Sequence, residues 1–526
     1  MTPGTIIQPP KEIAVKKIKA AKKENLKQRA YLNSLSGIID YAGAQITGFI
    51  INPFIVSGLG SVMYGVWQIL TQLTGYTKLV DTRASQVLKW SLANKREIAK
   101  EEEFRSDITS ALYVTAITLP LGLIAGSIIS WYAPYISGAD LKYYSLIRIT
   151  CSILIFGLIA NKFFDLFEAT LGGMNLGYKR MGFRAMIVAI GGVLKVYVIS
   201  KGYGLIGLSV VQVLNALVIG STFYFIVKKN VPWFSLGTTT KSKVRSFGKL
   251  SGWFMGFSIL KMILLSSDKV MLGYLAGPAL VSNYALTMFT STAIQGAMIA
   301  VIMGMTPGIC TVFGKGEYER VDKARKTINS LTWLFCASVG SAVLLFNRSF
   351  IQLWVGNKHY AGNFENFLIL VIAIQVIFFQ LDSSILNASM DMKRKVKLSA
   401  WAAAFSIALS FILIQRFQII GLCISTICGR LFYSIGFPVL LKRRMEMKVN
   451  FFNFKDMRMF ITGISLFALT TVLGAYLVIN NWFMLIISGV LSVMLAGFIF
   501  WVTGMNETDR KEALQAVSTI KWFKMN

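Results

Sequence analysis

Three cations sit where cations are expensive. Arg148, Lys261 and Arg430 each lie inside a long apolar stretch of the chain, and Lys269 follows Lys261 by two helical turns with Asp268 beside it. In hydrocarbon such a group costs several kcal/mol unless it meets water, a counter-charge or a ligand. Asp40 lies about two turns into the first apolar stretch, with Gln45 and Asn52 beyond it. Deep cations that outnumber deep carboxylates would attract an anionic ligand, because low-dielectric walls magnify the field. Arg148, Lys261, Lys269 and Arg430 are therefore the candidate substrate-binding cations of an internal cavity.

Other charges have plainer readings. Lys162, Asp165, Glu168 and Asp382 fall near helix ends and read as helix-end charges or local ion pairs. Lys195, near the outer end of its stretch, is expected to snorkel to the headgroups. Adjacent residues on a helix point about 100° apart, so Asp268 and Lys269 cannot serve one another, and one of them needs an outside partner. The single histidine, His359, stands beside Lys358 in a loop and reads as a solvated residue. The five cysteines (Cys151, Cys310, Cys336, Cys423 and Cys428) lie in apolar stretches and read as small core residues. No glycine-rich phosphate loop, zinc-protease motif, nucleophile elbow or carboxylate–histidine set is present, so no catalytic residue, metal site or cofactor is expected.

The elements that must position these groups are membrane spans. Of 526 residues 55% are hydrophobic and only 15% charged, against about 25% in soluble chains. Apolar runs long enough to cross a bilayer recur at 32–57, 60–78, 108–131, 142–166, 183–200, 204–227, 250–275, 279–310, 327–348, 363–387, 396–415, 418–441, 459–479 and 482–504. The run at 279–310 is too long for one straight span, so part of it is expected to project as a loop or surface helix. A β-barrel is excluded by run length and lack of alternation.

The net charge of +30 follows topology. With the N-terminus cytoplasmic, about 43 of the 54 Lys and Arg fall on the cytoplasmic side and about five opposite. That asymmetry places both termini in the cytoplasm and argues against nucleic acid as a partner. Residues 1–30 read as a basic cytoplasmic tail, with an interfacial helix as the alternative. Thr82 to Ala99, with Val87, Leu88, Leu92 and Ile98 against a basic remainder, is a second candidate interfacial helix.

The chain also repeats at an offset of 214 residues. Glu168 to Leu171 and Lys179-Arg180 fall on Asp382 to Ile385 and Lys393-Arg394; Ile206-Gly207-Leu208 falls on Ile420-Gly421-Leu422, and Lys228-Lys229 on Lys442-Arg443. The expected fold is an all-α polytopic membrane protein of about fourteen helices: two six-helix lobes with pseudo-two-fold symmetry (31–230 and 245–445), two further helices (455–505) and a cytoplasmic tail (506–526). Two-lobed membrane proteins with a site at the repeat interface are usually transporters. At the offset Lys261, Arg430 and Arg148 fall on Thr47, Ala216 and Gly362, so the deep cations do not belong to the shared scaffold.

Several segments resemble the polysaccharide (O-antigen type) flippases of the multidrug/oligosaccharidyl-lipid/polysaccharide exporter superfamily. They are Asn52-Pro53-Phe54 with Gly58, Gly60, Tyr64, Gly65 and Trp67; Ser267-Asp268-Lys269 with Gly273, Gly277, Pro278 and Tyr284; and Met305-Thr306-Pro307 with Gly314 and Glu317. The resemblance covers about residues 30–445. It implies a lipid-linked anionic saccharide as substrate, its diphosphate held by Arg and Lys in the cleft between lobes, and alternating access across the inner membrane. Membrane lipids and a polysaccharide polymerase machinery are the implied partners, and Asp40 or Asp268 would bind a coupling ion. The alternatives are a multidrug/cation antiporter of the same superfamily and a polytopic glycosyl- or acyltransferase.

Overall fold

The computed structural model describes residues 10–76, 84–95, 100–249, 267–314, 316–388, 392–447 and 454–522, with Ser251 and Met255. Among these residues the chain is helical, without strands. The elements used below are α1 (Pro10–Gly75), α2 (Ala84–Lys95), α3 (Glu101–Ser137), α4 (Tyr144–Gly173), α5 (Phe183–Ser200), α6 (Gly204–Asn230), α7 (Asp268–Ala276) and α8 (Pro278–Gly314). They continue as α9 (Tyr318–Trp354), α10 (Asn363–Ala388), α11 (Met392–Arg444), α12 (Phe454–Tyr476), α13 (Trp482–Thr503) and α14 (Glu507–Trp522).

Eleven described helices are long and apolar enough to cross a membrane. Two of them turn back midway, α1 at Gly60 (φ 72°, ψ 169°) and α11 at Gln418 (φ 48°, ψ −120°), so each supplies two spans. The expected span at 250–275 lies mostly outside the described residues, and α7 is its final part. The expected fourteen-span, two-lobe plan with two appended helices is thus the fold of the chain. Phe156, Val193 and Phe225 leave about two thirds of their surface uncovered, the exposure appropriate to lipid.

Local chemistry marks the ends of the spans. Glu101, Glu102 and Glu103 occupy the first turn of α3, where the helix dipole favours anions, and Gly138 closes that helix in the left-handed conformation (φ 63°). Lys228 and Lys229 end α6, and Lys442, Arg443 and Arg444 end α11, the favourable charge for a C-terminus. These repeat-related clusters mark one face of the molecule, called the basic face below. At the other face Gly204 (φ 52°) opens α6, and Gln418 makes the same left-handed corner 214 residues later.

Packing differs between the two faces. α1 crosses from its own lobe to lie along α7 and α8, and α12 and α13 pack on α9 at the edge of the second lobe. Toward the face opposite the basic one, a single apolar cluster joins both lobes, with Ile147, Ile199 and Leu205 from the first and Val281, Ile351 and Ile419 from the second. Trp354 locks this seam by donating its indole N–H to the Phe49 carbonyl at 2.6 Å while stacking on the Phe49 ring. Toward the basic face the clusters separate, with one set in the second lobe and others under α2 and beside α6 in the first. The lobes are therefore sealed on one face only.

Three expectations change and one is narrowed. Residues 278–314 form one uninterrupted helix of 37 residues, about 55 Å long, so the part that exceeds a span of about 30 Å continues as helix and not as a loop. Val87, Leu88 and Leu92 of α2 bury against Phe104, Ile108 and Leu166, so the apolar face is spent on protein and not on lipid; Ile98 lies outside the described residues. The backbone of the basic tail is helical from Pro10 onward and runs into α1. His359 is 2% exposed with Nδ1 lacking a hydrogen-bond partner, so it is not solvated, and burial with the neighbouring Lys358 charge pushes its imidazole below the usual range.

Candidate functional site

Helical spacing assembles a charged wall in the first lobe. On α4, Leu154, Leu158, Asn161 or its neighbour Lys162, Asp165 and Glu168 recur at three- to four-residue steps and line one side of the cavity. On α5, Arg184, Val188, Gly192 and Lys195 do the same, and α6 adds Gln212, Asn215 and Phe223. Both halves of α1 close the remaining side with residues such as Thr47, Asn52, Trp67 and Thr74. Together they enclose about 680 Å3, within the usual range for a ligand site.

Small residues keep the space open and shape it. Gly191 and Gly220 take side chains from neighbouring helices: a Cβ at either would sit within 2.5 Å of Asn215 or Phe164 atoms. The cavity edge carries Lys162, Arg184 and Lys195 against Asp165 and Glu168, so cations exceed carboxylates. Glu168 is held by Arg180 at 2.5 Å and by Arg184 at 3.7 Å, which removes one of the two negative charges. Asn161 donates to Asp165 at 3.4 Å, and Lys195 donates to the Gln212 amide oxygen at 2.6 Å.

Lys162 is different. It is 8% exposed, lies midway along the wall, and has no hydrogen bond or ion pair among the described residues. Gly122 of α3 makes room for its ammonium, since a Cβ there would lie 3.3 Å from Nζ. Lys162 thus brings an ammonium without a partner among the described residues to a cavity whose lining cations outnumber its carboxylates.

The predicted site residues are scattered around this cavity. Arg148 sits on α4 at the sealed face, with its guanidinium 3.9 Å from the Trp131 ring centroid and its Nε donating to the Trp131 carbonyl. It borders neither cavity described here, because an aromatic face at the rim satisfies it. Lys261 lies outside the described residues. Lys269 donates to the Gln68 side chain at 2.9 Å, and Asp268 accepts from Gln72 and from the Tyr284 hydroxyl at 2.9 Å each. Both members of that adjacent pair therefore find outside partners. Arg430 is buried in the second lobe, beside a pocket of only about 20 Å3 that Asp268 also lines, and donates weakly to the Ile372 carbonyl at 3.3 Å. Asp40 lies within electrostatic reach of Arg180, Arg184 and Glu168, and its buried Oδ1 has no partner.

Two corrections follow. The large cavity belongs to the first lobe and not to a cleft between lobes, because the seam is filled by the shared apolar cluster and the Phe49, Phe289 and Trp354 rings. Lys195 faces that cavity and bonds Gln212; it does not snorkel outward. The plain reading of Glu168 and Asp382 as ion-paired groups holds, with Asp382 gripped by both arms of Arg325 in a buried pair. Lys162, Arg184 and Lys195 are the cavity cations that sequence reasoning passed over.

No family model matches the chain, and no curated protein matches it by sequence. Solved structures do match. The lipid II flippase MurJ in an inward closed conformation superposes with a TM-score of 0.66 at 12% identity, covering 89% of this chain and 98% of that one. An inward-facing multidrug resistance MATE transporter of the MOP superfamily gives 0.60 at 14% identity, covering 79% and 98%. The chain shares the fold of these two structures. A eukaryotic MATE transporter gives 0.59 at 14% identity, covering 80% and 98%. With eleven described helices long and apolar enough to cross a membrane and this shared fold, the chain is a multi-pass membrane protein.

Proposed function

We propose that the chain is a flippase that moves a polyprenyl-diphosphate-linked oligosaccharide across the cytoplasmic membrane, for cell-surface polysaccharide export. The observation that carries this reading is the unpaired, buried Lys162 in a wide first-lobe cavity whose other cations are Arg184 and Lys195. The diphosphate would displace nothing at Lys162 and would gain planar, two-point contacts from Arg184. Asn161, Gln212 and Asn215 offer the mixed donors and acceptors that sugar hydroxyls require, and Trp67 an apolar ring face. The polyprenyl tail would remain in the bilayer. The chemistry is physical transport, with no covalent step.

In this reading both termini are cytoplasmic, the lobes rock to expose the cavity alternately, and Asp40 or Asp268 binds the coupling ion. A polysaccharide polymerase machinery would take the delivered saccharide.

A cation exporter is the second reading, favoured by Asp165 and by the partnerless oxygen of Asp40. Reconstitution separates the two. In proteoliposomes loaded with a fluorescent polyprenyl-diphosphate saccharide, the wild-type chain should accelerate translocation, and Lys162→Ala should slow it about tenfold or more at equal protein content. Acceleration of a lipophilic cationic dye, with no movement of the saccharide lipid, would overturn the proposal in favour of the exporter.

A further inference from the structure

Between the lobes runs a short polar zipper. Gln68 and Gln72 stand four residues apart on the second half of α1, and Tyr76 follows four residues on, just past its end, so the three share one side. Opposite them stand three consecutive residues at the start of α7. Gln68 meets Lys269 at 2.9 Å, Gln72 meets Asp268 at 2.9 Å, and Tyr76 meets Ser267 at 3.3 Å, in antiparallel order. Every one of these bonds crosses from the first lobe to the second.

Behind Asp268, inside the second lobe, waits a different partner. Arg430 is fully enclosed, its Nε has no hydrogen-bond acceptor, and it forms no ion pair among the described residues. Its one bond, to the Ile372 carbonyl, is long at 3.3 Å. Asp268 and Arg430 line the same pocket of about 20 Å3, room for roughly one water molecule. Ser267, Ser406, Ser410 and Thr426 complete it with hydroxyls. The carboxylate is thus held off the guanidinium while Gln72 and Tyr284 occupy its oxygens.

We propose that Asp268 exchanges partners during the transport cycle. In the state described here Gln72 of the opposing lobe holds it; when the lobes part, Asp268 turns inward and pairs with Arg430. The distinction is geometric. Asp268 and Arg430 sit on packed helices of one lobe and stay together through a rigid-body rotation, whereas Gln72 leaves with the other lobe. A freshly exposed carboxylate would otherwise face a low-dielectric seam with an acceptor position vacant, and Arg430 supplies the missing donors. The exchange evens out the energies of the two states, which a reversible rocking motion requires. It rests on the alternating-access reading of the chain.

The test is a distance measurement on the full-length chain in lipid nanodiscs, with native cysteines replaced and nitroxide labels at Ser200→Cys and Asn357→Cys. Both positions are exposed at the sealed face, one on each lobe. The unaltered zipper should give a short and a long population. Gln72→Leu should raise the long-to-short ratio about tenfold, Arg430→Gln should lower it about tenfold, and Asp268→Asn, which keeps an acceptor for Gln72 but no charge, should lower it likewise. Combining Asp268→Asn with Arg430→Gln should add no further change, the mark of a shared interaction. A ratio indifferent to both Arg430→Gln and Asp268→Asn, in a chain that still interconverts, would overturn the exchange alone. One fixed distance in every variant would overturn alternating access and the exchange with it. Should Arg430→Gln fail to accumulate, Asp268→Asn carries the same prediction and the same refutation.

Discussion

In the first lobe Lys162, Asp165, Arg184 and Lys195 border the 680 Å3 cavity; 214 residues later Val376, Phe379, Leu398 and Leu409 take the corresponding places. Val376 and Phe379 are buried in the second lobe's apolar cluster and Leu398 packs against it. One helix plan has therefore been filled in two ways. The first lobe lines an open cavity with charged side chains, and at the matching places the second lobe carries apolar ones, of which Val376 and Phe379 are buried. Glu168 and Asp382 are the telling exception. Both are acidic, yet Glu168 shares two arginines at a partly exposed site while Asp382 is locked to one buried Arg325. Identical positions on the scaffold border an open cavity in one lobe and hold a buried ion pair in the other.

Asymmetry of this kind can be broken by moving residues across the repeat. The largest effect is expected from Val376→Lys, which puts an unpaired charge into the buried apolar cluster and should lower stability by more than about 5 kcal/mol. The converse Lys162→Val should leave the thermal midpoint in detergent near wild type while transport falls. Equal destabilisation by both swaps would erase the distinction between the lobes.

Next comes the conserved acid. Asp382→Ala strands a buried guanidinium and should cost about 3–5 kcal/mol. Glu168→Ala removes a partly exposed pair and should cost less than about 1 kcal/mol, read in the same unfolding assay. The smallest change sharpens the scaffold itself. Gln418 makes a left-handed corner that Gly204 makes in the first lobe, so Gln418→Gly should raise stability by about 1 kcal/mol without altering transport. A loss of stability there would mean that the Gln418 side chain supports the turn.

Much of the fold was legible because its signals are long. Apolar runs, basic clusters at helix ends and the 214-residue repeat located the spans and the lobes. The unbroken α8 and the docking of α2 were not legible, since run length does not say where a helix leaves the bilayer and an amphipathic face fits protein as well as lipid. The site was read from depth within each span, and depth misled. Arg148, read as deep, stands near the start of α4 at the rim with Trp131 for company, while Lys162 and Arg184, read as helix-end charges or passed over, face the cavity. Depth says how much a charge costs, not which side of its helix it occupies.

The signal that would have found the cavity was present in the repeat. Laying the first lobe on the second turns Lys162, Arg184 and Lys195 into Val376, Leu398 and Leu409, three lost cations on two adjacent helices. The same subtraction applied only to Arg148, Lys261 and Arg430 pointed instead to the rim, to residues outside the described region and to the zipper's hidden partner.

The central claim is that the first-lobe cavity holds the anionic part of the substrate. Equilibrium binding of a polyprenyl-diphosphate saccharide to the purified chain in nanodiscs tests it most directly. Lys162→Ala should weaken binding about tenfold or more, and Arg148→Ala should leave it within about twofold. Undiminished binding by Lys162→Ala, with loss of binding by Arg148→Ala, would contradict the account.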